Sequence, residues 1–407
     1  MTTTVNNEHK NIKVPNLRFK EFEGEWKEER LADIADLYKG TGISKDQLSD
    51  DGEPCILYGE LYTKYKSETI REVISKTNIN NTKLVRSKAN DVIIPCSGET
   101  AEDIATARCV LNGNILLGGD LNIIRLHGYD GAFMSYQLNG RRKYDIAKVA
   151  QGVSVVHLYG EHLKGVKTIN PCLEEQKKIA KLLSLLDERI ATQNKIIEDL
   201  KKLKSAISKH LFSRKDLLET TIRLADIATL KNGYAFQSSK YETQGKWKIL
   251  TIANVSGERY INDNDCNCII NLPNDIQAHQ VLKEGDILIS LTGNVGRVSL
   301  CKVGNYLLNQ RVGLLHITKN VDQEFLYQIL SSRRFENCMV ACGQGAAQMN
   351  ISKGDVENFV LPYSSNGNSI RMIAGILQSY DVFTINELRI LTLLTMQKQY
   401  LLHQMFI

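Results

Sequence analysis

No stretch of the 407-residue chain approaches the roughly 18 consecutive apolar residues that a membrane-spanning helix needs, so no membrane partner is expected. The opening residues, "MTTTVNNEHKNIKVPNLRF", lack the apolar centre of a secretory signal, which points to the cytoplasm. The nine cysteines are odd in number and scattered, with no C-x-x-C pair. That argues against a disulfide frame or a zinc site and for reduced thiols. Cys266 with Cys268, and Cys338 with Cys342, could hold a metal, but ordinary thiols explain them as well. A net charge of +5 falls short of what a purely electrostatic nucleic-acid binder carries. It permits a DNA partner without demanding one.

Catalytic signatures are missing too. There is no G-x-x-x-x-G-K-[ST] phosphate loop and no H-E-x-x-H, and the eight histidines do not cluster. No Asn-Pro-Pro-Tyr stretch of the kind found in amino-methyltransferases occurs; "INPC" at 169–172 leads into a helix. "GQGAAQ" at 343–348 carries two glycines of a dinucleotide fingerprint and reads better as a turn. No catalytic residue, no metal ligand and no cofactor of this chain's own is therefore assigned.

What is present is a repeat. "LADIADLYKG" at 31–40 returns as "LADIATLKNG" at 224–233, 193 positions later. "NDVIIPCSG" at 90–98 faces "GDILISLTG" at 285–293, and "AQGVSVVHL" at 150–158 faces "GQGAAQMNI" at 343–351. "IAKLLSLLD" at 179–187 faces "IAGILQSYD" at 373–381, and "KHLF" at 209–212 faces "HQMF" at 403–406. Matches in the same order at a nearly constant offset mark a tandem duplication. Each copy begins with short β-branched runs broken by Gly and Asn, the texture of a mixed α/β domain. Each ends in a long helical stretch; residues 172–213 follow Pro171, contain no Gly or Pro, and place Glu174 and Glu175 where the helix dipole favours acids. About 40 helical residues would run roughly 60 Å.

Stepping through the first helix by fours and threes meets Ile179, Leu183, Leu186, Ile190, Gln193, Ile197, Leu200, Lys204, Ile207 and Leu211. The second gives Ile373, Leu377, Tyr380, Thr384, Glu387, Leu391, Leu394, Lys398, Leu401 and Met405. Polar exceptions coincide, Gln193 with Glu387 and Lys204 with Lys398. A seam of this length is the pattern of a coiled coil, and polar residues within one set register. An antiparallel pair within the chain is expected, against the alternative that each helix lies on its own domain. Two like domains on a rigid spacer would suit an extended, roughly symmetric partner, and double-stranded DNA, with a repeat of about 34 Å, is such a partner.

Glycine-rich loops supply the candidate DNA contacts: Lys39, Thr41, Ser97, Glu99, Thr100 and Arg108 in the first domain. The second offers Lys231, Tyr234, Gln237, Lys240, Thr292, Asn294, Arg297, Asn309, Gln310, Arg311 and Gln348. Arg297 and Arg311 could read guanine edges, and Asn294, Asn309, Gln310 and Gln348 could read adenine, while Lys231 and Lys240 would meet phosphates. Taken singly, each reads more simply as a solvated loop residue, and only the group carries weight.

These residues resemble the specificity subunits of type I restriction-modification systems over nearly the whole chain. "PNLRFKEFEGEW" at 15–26 resembles their opening, "LADIA" begins each target recognition domain, and "NPCLEEQKKIAKLLSLLD" at 170–187 is similar to the start of their first helix. The second copy departs, with "NSIRMIA" at 368–374 in place of "EEQKKIA". The resemblance implies an α+β (mixed α/β) fold: two target recognition domains, 1–171 and 216–363, separated by two long antiparallel coiled-coil helices, 172–215 and 364–407, in a pseudo-two-fold repeat. It implies a non-catalytic subunit whose domains each read half of a split, asymmetric DNA site. Two modification subunits using S-adenosylmethionine for adenine-N6 methylation, and two restriction subunits using ATP and Mg2+, would dock on it. The alternatives are a stand-alone DNA endonuclease or methyltransferase, and a coiled-coil scaffold without DNA affinity.

Overall fold

The computed structural model describes residues 13–79, 83–152, 155–343 and 349–407. The chain divides into two compact units. One takes the chain up to Asn194 together with Ile390–Ile407, and the other is Lys195–Arg389. The division falls inside both long helices, Leu173–Ser213 and Gly367–Met405, so each unit holds one repeated domain and a stretch of each helix.

In the first unit a five-stranded sheet runs in the order Ala35–Lys39, Leu121–Leu126, Asp91–Pro95, Arg108–Val110, Thr69–Ile70. Neighbours are antiparallel except the last pair. Its central strand is the run "DVIIP", buried at every position. Side chains alternate between the faces of a strand, so a continuous apolar run requires cover on both. Val92 and Ile94 join a core with Phe133 and Tyr136 of helix Gly131–Asn139, whereas Ile93 joins a separate core with Ile56, Leu61 and Leu117. A second sheet has the order Leu116–Leu117, Glu53–Ile56, Ser75–Thr77, Leu48–Ser49, its first pair parallel.

The second unit repeats this plan. Ala228–Asn232, Val312–Ile317, Ile287–Ser290 and Val298–Leu300 form an antiparallel sheet. In "DILIS", Ile287 and Ile289 enter one core and Leu288 another. The companion sheet, Asn267–Ile269, Trp247–Leu250, Tyr306–Leu308, Val281–Leu282, keeps a parallel pair at the matching place. The first unit's fifth strand is reduced here to a single parallel bridge between Tyr260 and Leu300.

Each domain is closed by an antiparallel pair of its own ends, Lys27–Arg30 with Lys167–Asn170 and Thr220–Arg223 with Val360–Tyr363. The closing strand runs almost directly into a long helix. Every position of the four-three stripe, from Ile179 to Leu211 and from Ile373 to Met405, is buried or half-buried, Gln193, Lys204, Thr384, Glu387 and Lys398 included. Within the first unit Ile179, Leu183 and Met405 share one core, and within the second Leu211, Ile373 and Leu377 share another. Both helices thus contribute to both cores. All nine cysteines are unpaired.

One polar cluster ties loop to sheet in the second unit. Asp263 accepts from Lys248 Nζ at 2.8 Å, Lys302 Nζ at 2.9 Å and the Tyr306 hydroxyl at 3.1 Å. The hydrogen bond from Lys248, then that from Lys302, holds its carboxyl well below the usual range. A depressed folded value means stabilisation that is complete above the unfolded pKa, about 3.9, and disappears as pH falls through the lower folded value. Asp263→Asn is therefore expected to lower the urea midpoint of this unit at neutral pH, with the gap to the wild type closing below about pH 4. A gap that is constant with pH would show that the Asp263 charge contributes nothing.

Candidate nucleic-acid interface

The shared "G" that closes the opening echo sits where the chain must pass a neighbouring backbone closely. A Cβ on Gly40 would lie 2.0 Å from the Gly118 carbonyl oxygen, and one on Gly233 would lie 2.2 Å from that of Asn309. These contacts seat corresponding loops in the two domains.

In the first unit Gly40 N donates to Leu121 O at 2.8 Å, Cys96 N to Asp120 O at 2.7 Å and Leu158 N to Cys96 O at 2.8 Å. Segments far apart in sequence are thereby laid side by side around a cleft of about 250 Å3. It is lined by Tyr38, Lys39, Asn122, Tyr159 and Lys164, with Leu37, Cys96, Gly160 and Glu161 completing the wall. Tyr38 and Tyr159 are 45% and 50% exposed, and the Arg125 guanidinium lies over the Tyr38 ring at 4.9 Å. The Tyr159 ring stacks 6.1 Å from His157 and meets His162 edge-on at 5.4 Å. Lys164 pairs with Glu161 at 2.6 Å, whereas Lys39 forms no ion pair among the described residues. Aromatic faces beside cations are the surface on which bases stack and phosphates rest.

Of the candidates in this domain, Lys39 lies on the cleft and Ser97 beside it, its hydroxyl 3.3 Å from His157 Nδ1. Glu99 is exposed. Thr41 and Thr100 have local work: Thr41 Oγ1 accepts from Val85 N at 3.1 Å, and Thr100 caps helix Ala101–Ile104 by accepting from Asp103 N at 3.0 Å. Arg108, expected as a DNA contact, turns inward instead. Its guanidinium donates to Tyr65 O at 3.2 Å and Ala107 O at 2.9 Å. Burial pushes its pKa down, and the charges of Glu68 and Asp187 oppose that shift.

In the second unit Tyr234 N donates to Leu308 O at 2.8 Å, Gln310 N to Tyr234 O at 3.0 Å and Leu291 N to Arg311 O at 3.0 Å. Gly293 N to Met349 O at 2.9 Å adds a fourth loop. These bonds bring Tyr234, Thr292, Asn309, Gln310 and Arg311 together, with Gln310 and Arg311 outermost. Gln310 and Arg311 are exposed, and their side chains have no partner among the described residues. Tyr234 donates its hydroxyl to Asp275 at 2.8 Å and lies 4.9 Å from the Phe236 ring. Thr292 Oγ1 is buried without a hydrogen-bond partner among the described residues. Asn309 is buried, and its Oδ1 accepts from Arg311 N at 3.1 Å, so it shapes the turn that presents Arg311.

Gln237 and Lys240 are exposed at the short turn Ser238–Lys240, and Lys231 is half-buried in strand Ala228–Asn232. Asn294 is exposed, its carbonyl accepting from the Ser290 hydroxyl. Arg297 turns instead towards helix Arg333–Cys342, its Nε 4.0 Å from Glu336, with a second contact to Ser256 O at 3.4 Å. Gln348 lies outside the described residues. Sequence reasoning missed His157, Tyr159 and Lys164; the cluster "HLYGEHLK" at 157–164 was the available signal. Among the described residues no group of three His, Cys, Asp or Glu could hold a metal, and no helix is long and apolar enough to cross a membrane.

A domain present twice, each copy offering its own set of exposed loop residues on a matching strand framework, is the architecture of a two-headed recognition protein. The type I restriction modification DNA specificity domain matches residues 23–202 and again 219–396, and the chain belongs to that family. Its function is that of a type I restriction-modification specificity subunit. The chain is 26% identical over 349 residues to the type I restriction enzyme MjaVIII specificity subunit of Methanocaldococcus jannaschii, covering 78% of each chain. It is 27% identical over 217 residues to the putative MjaX specificity subunit of the same organism, over 49% of each. The crystal structure of a type I restriction-modification S subunit from M. genitalium shares its fold, with a TM-score of 0.64 and 19% identity over 97% of this chain and 99% of that one. A chain from a structure of type I R-M complex assembly and conformational transition has a TM-score of 0.52 and 15% identity over 93% and 96%.

Proposed function

We propose that the domains at 1–171 and 216–363 each read one half of a split, asymmetric sequence in double-stranded DNA, with the helices at 172–215 and 364–407 as spacers. Supporting this reading is one observation above the rest: the two strand frameworks match while the exposed loop groups differ. Tyr38, Lys39, Tyr159 and Lys164 stand in one domain, and Tyr234, Gln310 and Arg311 in the other. Different side chains on equal frames would read different half-sites.

On this reading the chain performs no chemistry. Methyl transfer from S-adenosylmethionine to adenine N6 belongs to two modification subunits, and ATP- and Mg2+-dependent translocation and cutting to two restriction subunits. The chain's own residues position these partners on a chosen sequence in the cytoplasm. Mapping adenine methylation across the genome of cells co-expressing this chain with a cognate modification subunit tests it. A split motif is expected that is absent when the modification subunit is expressed alone. A stable complex that methylates no defined sequence would overturn the proposal.

A further inference from the structure

The two lysines that interrupt the apolar stripes, Lys204 and Lys398, are repeat equivalents, as are the aspartates that close "IAKLLSLLD" and "IAGILQSYD", Asp187 and Asp381. Each unit brings one lysine onto the aspartate of the other helix. Lys398 Nζ lies 2.6 Å from Asp187 in the first unit, and Lys204 Nζ lies 2.5 Å from Asp381 in the second. The free oxygen of each aspartate accepts from the domain helix packed on it, from the Tyr136 hydroxyl at 2.7 Å and from Gln328 Nε2 at 2.7 Å.

The domains complete these clusters with opposite charges. Glu68 and Arg259 occupy the same backbone place, each carbonyl accepting from the adjoining strand, from Cys109 N at 2.8 Å and Leu300 N at 2.7 Å. Glu68 bonds the helix lysine, Lys398, at 2.6 Å. Arg259 bonds the helix aspartate, Asp381, at 3.1 Å, and is held in two contacts of 2.7 and 2.6 Å by Glu324. Lys398 therefore ties helix to helix and helix to domain. Lys204 ties helix to helix alone, because the second domain is held by Arg259.

Resting on the reading above, we propose that Lys398 with Glu68, and Arg259 with Asp381, are positioning residues that set the seat of each recognition domain on the helices, and so the number of base pairs accepted between the half-sites. Buried charge pairs hold one geometry because any displacement strands a charge away from water. A domain released from its seat must shift by on the order of 3.4 Å and turn by about 34° around the DNA axis to match a gap one base pair longer or shorter, because B-DNA makes one turn in about 10 base pairs.

The test is the methylation map of cells carrying the assembled modification complex with Lys398→Met, Lys204→Met or Lys398→Arg. Lys398→Met is expected to keep both half-site sequences while spreading the gap over neighbouring lengths. Lys398→Arg and Lys204→Met should keep the single wild-type gap. Glu68→Gln, which removes one charge without changing shape, should spread the gap as Lys398→Met does and serves if the latter fails to assemble. A single unchanged gap in Lys398→Met or Glu68→Gln, or equal spreading in Lys398→Met and Lys204→Met, overturns the inference while leaving the reading of function intact. Absence of any split motif with the wild-type chain overturns that reading, and the inference with it.

Discussion

Asp381→Ala is expected to destabilise the second unit by about 3–5 kcal/mol, the usual consequence of removing one member of a buried charge cluster. Its carboxylate is 10% exposed and accepts from three donors, Lys204, Arg259 and Gln328. The substitution leaves Arg259, 8% exposed, with Glu324 as its remaining acid and leaves Lys204 without its acceptor. Asp381→Asn keeps the shape and part of the hydrogen bonding, so it should cost less. Urea unfolding followed by a probe within residues 195–389 measures both. A loss below about 1 kcal/mol for alanine would place the cluster in the range of an exposed ion pair.

Arg311→Ala is expected to weaken binding of the assembled complex to its own site by about 5- to 150-fold, on the order of 1–3 kcal/mol, and to relax the second half-site at one position. Arg311 is exposed at a turn fixed by Asn309 and by the Leu291 amide, so truncation removes the guanidinium without disturbing its support. Lys240→Ala serves as the contrast, since a phosphate contact carries no sequence information. It should weaken binding to all sequences alike and lower the slope of log affinity against log salt by about one. Fluorescence titration of the complex over a salt series separates the two, and an unchanged motif in Arg311→Ala would remove that residue from the readout.

The parts of the fold governed by local periodicity were legible in the letters. "DVIIP" and "DILIS" announce strands covered on both faces, and the four-three stripe picks the buried face of both helices, polar positions included. What depends on pairing between distant segments was not. Tyr159 and Lys39 share one cleft because Leu158 N donates to Cys96 O, a pairing of distant segments that no local pattern encodes. Arg108 follows a small-residue loop and looks like a tip, yet it begins strand Arg108–Val110, and its side chain turns inward to Tyr65 and Ala107. Lys204 and Lys398 were visible as interruptions, but their acid partners lie on another helix and, for Lys398, in a loop 330 positions away.

The first compact unit is completed by a segment, Ile390–Ile407, translated long after the rest of it. Phe406 packs 5.1 Å from Phe133 and belongs to the same core as Trp26 and Leu31, and Arg142 bonds the Ile407 carbonyl at 3.1 Å. Residues 195–389, by contrast, are contiguous and can close as soon as they emerge. Folding during synthesis therefore runs out of sequence order: the domain translated first waits, with part of its apolar core uncovered, until about 200 further residues have been made and have folded. A nonsense codon near position 400 would accordingly injure the amino-terminal domain, and a chaperone that shields nascent apolar surface would matter more to that domain than to the one translated after it.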